Sequence, residues 1–71
     1  MEITIDRVEC MGTSYYGNPY FKVYLLANEN FAWLRTSINA GVNYEITNYR
    51  RGDKVNVKLT RAGRIYAIER A

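Results

Sequence analysis

The chain has 71 residues, with ten Lys and Arg against seven Asp and Glu, one cysteine and no histidine. A disulfide within the chain and a Cys/His metal cluster are therefore excluded, and no imidazole base is present for catalysis near neutral pH. Apolar residues make up 48% of the sequence. The expectation is one folded domain over residues 1–71, near the lower size limit for an unstapled core, with a margin on the order of a few kcal/mol.

Residues 2–10, EITIDRVEC, form the first expected strand. Ile3 and Ile5 share one parity and Val8 and Cys10 the other. A switch near Asp6-Arg7 implies a bulge or bend, because one extra residue moves the apolar set to the opposite face. Residues 11–19, MGTSYYGNP, read as a loop built on Gly12, Gly17, Asn18 and Pro19. Tyr15 and Tyr16 within it either fold back as a lid or form a binding loop.

Tyr20–Ile38 reads as an antiparallel hairpin, with Asn28-Glu29-Asn30 as its connector. Phe21, Val23 and Leu25 fall on one face and Tyr20, Lys22 and Tyr24 on the other. In the second arm Ala32, Leu34 and Ile38 can form a core face, which leaves Trp33, Arg35 and Ser37 opposite.

The stretch 39–53 fits two elements. Val42, Ile46 and Tyr49 lie on one face of a short helix, with Asn39 or Asn43 as N-cap. Val42, Tyr44 and Ile46 alternate as a strand, which propensity favours. The position between a meander and a final hairpin favours the helix, over about residues 42–50. Arg50-Arg51-Gly52-Asp53 then reads as a charged turn. Val55, Val57 and Leu59 point inward, with Lys54, Asn56, Lys58 and Thr60 outward. Arg61-Ala62-Gly63-Arg64 is a tight connection in which Gly63 supplies positive φ, and Ile65–Ile68 is the last strand.

The expected fold is mainly β: a five-stranded antiparallel OB-like barrel with a short helical segment between strands three and four. An SH3-like barrel is the alternative. The segment GDKVNVKLTRAGRIYAIER, Gly52 to Arg70, resembles the closing hairpin of small RNA-binding OB domains, TRAM domains especially. The shared features are a Gly-Asp-x-Val opening, an alternating basic strand, a short turn and an aromatic-alanine strand. It covers about a quarter of the chain. The front of the chain departs from that pattern, with longer second and third strands and an added segment before the fourth. The resemblance implies an OB-type fold and RNA binding.

Enzymatic chemistry has little to build on. Cys10 has no His partner, the acidic residues are scattered, and no glycine-rich phosphate loop is present. No metal site and no cofactor are expected. The first residues do not resemble a secretion signal, and no apolar run approaches the ~20 residues of a membrane span. With a lone thiol, the expectation is a soluble cytoplasmic protein with no membrane partner.

A net charge of +3 permits an anionic partner. Seven tyrosines offer flat contact area with a polar tip. Tyr24 and Trp33 are the candidates to stack bases, with Tyr20 and Tyr66 behind them. Lys22, Arg35, Lys54, Lys58, Arg61 and Arg64 are the candidates to hold phosphates, with Arg50 and Arg51 as a rim. Flat rings with flanking cations are what single-stranded DNA or RNA binding requires. The same residues also suit packing: Trp33 as a core ring, the tyrosines as barrel covering, the cations as solvated edges. A competing expectation is a protein-interaction or homodimerisation module using the same aromatic face.

Overall fold

The computed structural model describes residues 1–28 and 30–71. Its strands are β1 (Glu2–Thr13), β2 (Pro19–Leu25), β3 (Trp33–Arg35), β4 (Lys54–Leu59) and β5 (Ile65–Arg70). Two 3₁₀ turns, Gly41–Tyr44 and Ile46–Asn48, lie between β3 and β4. All strand pairings along the sheet order β3-β2-β1-β4-β5 are antiparallel. The mainly-β class, the five strands and the short helical piece are as expected. A closed barrel is not formed. The two edges approach only at one isolated parallel bridge, between Thr36, just past β3, and Ile65 of β5, where the Ser37 N–H donates to the Ile65 carbonyl at 2.7 Å. Three residues of β3 are too few for a ladder.

The parity switch in β1 is a real irregularity. Glu2–Thr4 pair with β4, whereas Ile5 onward pair with β2, with a register shift between Ile5 and Arg7. Ile5 also bonds to the turn before β4, through Asp53 and Gly52. The bulge thus hands one strand from one neighbour to the other. It leaves Ile3 and Ile5 buried, and Val8 packed against the core from the other parity. Cys10 has run past the core and is exposed. β1 continues to Thr13, further than expected, and the loop shrinks to Ser14–Asn18.

The second hairpin needs three corrections. β2 ends at Leu25 and β3 begins at Trp33, so the connection is longer than Asn28-Glu29-Asn30. Glu29 lies outside the described residues. Asn28 Oδ1 accepts the N–H groups of Asn30 and Phe31, a turn that asparagine favours. Ala32 falls in this connection and Ile38 lies beyond the strand; both are exposed, and neither is core. Leu34 and Thr36 take the inward positions instead. Past Thr36 the chain turns away through Asn39, which holds a left-handed φ of 63°.

The segment after β3 plugs the core. Val42 and Ile46 are buried and Tyr49 packs beside them, the spacing expected for one helical face. The backbone is 3₁₀, and neither Asn39 nor Asn43 caps it. Asn43 is buried within the first turn and donates Nδ2 to the Ser37 carbonyl at 2.9 Å. No helix among the described residues is long and apolar enough to cross a membrane.

Candidate nucleic-acid interface

Strand pleating sorts β2 cleanly. Phe21, Val23 and Leu25 are buried, while Tyr20, Lys22 and Tyr24 face outward. Cross-strand register then decides the neighbours. Lys22 pairs with Arg35 and Tyr24 with Trp33 on one side; Glu9 and Arg7 pair with the same two β2 residues on the other.

The result is a row of alternating cations and rings. Arg7 Cζ lies 4.0 Å from the centroid of the Tyr24 ring. Lys22 Nζ sits between two rings, 5.0 Å from Tyr24 and 4.3 Å from Trp33. Arg35 Cζ is 5.6 Å from the Trp33 centroid. Each contact falls within the range where a cation is attracted by a ring's quadrupole, worth about 0.5–1 kcal/mol at exposed sites. Trp33 is 37% exposed and on the outer face, as its parity predicts; it is not a core residue. Tyr20 lies further along the same face, its ring against Gly12 across the ladder.

Beside this row is a groove of about 310 Å³ lined by Trp33, Leu34, Arg35, Ala62, Gly63 and Arg64. The β4–β5 turn forms one wall, held by Thr60 N–H to the Arg64 carbonyl at 2.7 Å and by Gly63 with φ 81°. Arg64 is thereby brought to the Trp33 and Arg35 side chains. Arg61 is exposed on the same turn.

Other expected residues are elsewhere. Lys58 lines a different hollow of about 240 Å³, with Met1, Asn56, Ala67 and Glu69. Lys54 pairs with Thr4 at the far end of β4. Both point outward, as their parity requires, but on β4, which β1 separates from β2. Tyr66 is exposed on β5 and lines neither hollow. Arg51, a rim candidate, pairs with Asp6 at 3.2 Å, and the Arg50 N–H donates to Asp53 Oδ2 at 2.7 Å.

Sequence reasoning missed Arg7. The signal was available: once the bulge flips the parity of β1, Arg7 and Glu9 must share the outer face with Tyr24 and Lys22. Glu9 tempers the row, contacting Arg7 at 3.5 Å. Among the described residues no cluster of three or more Cys, Asp or Glu is placed to hold a metal ion. Comparison with known proteins gave no match: no family model fits the chain, and no curated protein or solved structure matches it.

Proposed function

We propose that this chain binds single-stranded nucleic acid, without catalysis, through the outer face of β2 and β3. The observation that carries this reading is the cation–ring row Arg7-Tyr24-Lys22-Trp33-Arg35, bordered by the groove that adds Arg64. Exposed rings stack bases whatever their sequence, and cations beside them neutralise the phosphates that follow each base. Arg7 covers one face of Tyr24, so its guanidinium plane is itself a stacking surface, as in RNA recognition by arginine. Trp33 supplies a second ring, partly exposed between Lys22 and Arg35. The strand order and the groove against the β4–β5 turn support an OB-like use of the fold, where strands two and three and the fourth connection frame the ligand. The resemblance of Gly52–Arg70 to RNA-binding OB hairpins points the same way by analogy.

The single tryptophan makes the test direct. Trp33 fluorescence is followed while a mixed-sequence single-stranded oligonucleotide is added at low and at high salt. Quenching that weakens steeply with salt is expected. No change at low salt, where non-specific binding is strongest, would overturn the reading. Trp33→Ala should weaken binding roughly tenfold, since a stacked base is worth about 1–3 kcal/mol. The melting temperature should move little, because the ring is not in the core.

A further inference from the structure

The seam between the two sheet edges has a defined register. The parallel bridge sets Thr36 across from Ile65. One residue back along each chain sets Arg35 across from Arg64, then Leu34 across from Gly63, and Trp33 across from Ala62. These are the residues that line the groove of about 310 Å³. No ladder joins them, since β3 and β5 are opposite edges of the sheet. The groove is therefore a fork. Its closed end is the bridge, where the Ser37 N–H donates to the Ile65 carbonyl at 2.7 Å. Its open end lies at Trp33 and Ala62.

Two arginines consequently flank the closed end. The ion pairs among the described residues engage Arg7, Arg51 and Arg70, and neither Arg35 nor Arg64 takes part in one. Like charges brought to one groove by backbone register, with no carboxylate between them, repel each other until an anion enters. Guanidinium forks grip phosphate oxygens two at a time, which a lysine ammonium does not do. Trp33 borders the same groove two residues from Arg35, about 7 Å along the strand. One nucleotide covers that span, with its base at the ring and its phosphate at the arginines.

We infer that this fork holds the end of a nucleic-acid strand, with a terminal phosphate between Arg35 and Arg64 and the last base on Trp33. The inference rests on the single-strand reading above and narrows its ligand. Charge selects a terminus over an internal linkage. An internal phosphodiester carries one negative charge. A terminal phosphomonoester carries about −1.5 to −2 at pH 7 and offers three strong acceptor oxygens. Two guanidinium groups are matched by the second and only half neutralised by the first. Geometry selects the same ligand, since a chain entering at Trp33 meets the bridge and has no continuation within the groove. Lys22, Tyr24 and Arg7 then serve the nucleotides that lead away from the end.

One oligonucleotide in three forms tests this on the full chain: with a 5′-phosphate, with a 3′-phosphate, and with hydroxyl groups at both ends. Trp33 quenching at fixed salt gives each affinity. At least one phosphorylated form should bind about tenfold more tightly than the hydroxyl form, as hydrogen bonds to charged groups allow. The form that gains reports the strand direction. A hydroxyl-ended oligonucleotide one nucleotide longer controls for the added charge and should gain much less. Arg64→Gln should abolish the end preference, and Arg35→Gln should do so from the other wall. Arg61→Gln removes a charge from the same turn, outside the groove, and should keep the preference. Circular dichroism checks that each variant folds. Equal affinities for all forms would overturn the strand-end site and leave single-strand binding standing. So would a preference that survives Arg64→Gln. If no form binds, the site and the single-strand reading fall together, and quenching by an acidic peptide instead would assign the groove to a protein partner.

Discussion

The guanidinium of Arg7 rests on Tyr24 and turns its other face to solvent. If it stacks a base or holds a phosphate there, Arg7→Gln should weaken oligonucleotide binding several-fold at low salt. The slope of log affinity against log salt should fall by about one phosphate contact, roughly 0.7 for a single strand. Arg51→Gln serves as the control, because Arg51 is paired with Asp6 away from the row; its slope should match that of the parent. Equal slopes for both variants would remove Arg7 from the interface. A second residue carries stability instead. Thr36 is fully buried, and its hydroxyl oxygen accepts the Phe21 N–H at 2.8 Å while donating to the Phe21 carbonyl at 3.4 Å. Thr36→Val keeps the shape and orphans that buried N–H. A loss of about 1–3 kcal/mol in urea unfolding is expected, with the denaturant slope unchanged.

At the scale of elements, alternation told inside from outside within β2, β4 and even the three residues of β3. It placed Val55 and Val57 inward, Lys54 and Lys58 outward, and Trp33 on the solvent side of β3. The β1 bulge was legible for the same reason, since a parity switch has few other causes. Alternation does not say where around the sheet an outward residue lies. That depends on strand order, a long-range property, and it is why Lys54 and Lys58 sit apart from Trp33 while Arg7 joins it. The end of β3 was hidden too. The pattern runs on to Ile38, but the strand stops at Arg35, opposite Lys22, and Thr36 bridges to Ile65 and turns its side chain to Phe21. Gly63 shows the local rule holding: the β4–β5 turn places it at φ 81°, and a Cβ there would meet nothing within 4 Å. The cost of Gly63→Ala is therefore backbone strain alone, about 1–2 kcal/mol. Chemical denaturation should report that loss with secondary structure retained. A neutral result would mean that the turn relaxes to another conformation, which the groove beside Arg64 would register as altered oligonucleotide affinity.

For the molecule as a whole, the margin is set by how few side chains are buried. The core is one cluster of aliphatic residues and Phe21, drawn from all five strands and from the 3₁₀ turns. Ile46 is fully buried, and Val42 beside it is nearly so. They come from a segment with little regular hydrogen bonding of its own, so packing holds the segment and the segment completes the packing. Truncating Ile46 to Ala removes three carbons from a site lined by strands that cannot collapse far. The usual cost is about 2–5 kcal/mol, comparable to the entire stability of a domain this small. Ile46→Ala should therefore lose its cooperative thermal transition, whereas Ile46→Val, at about 0.5–1.5 kcal/mol, should melt cooperatively at a lower temperature. Oligonucleotide binding should follow the fold, absent in the first variant and intact in the second below its transition. That contrasts with the outcome expected for Trp33→Ala, where binding should fall and the fold should stay. If Ile46→Ala melts cooperatively near the parent temperature, the 3₁₀ segment is a cover over a core that the strands complete by themselves.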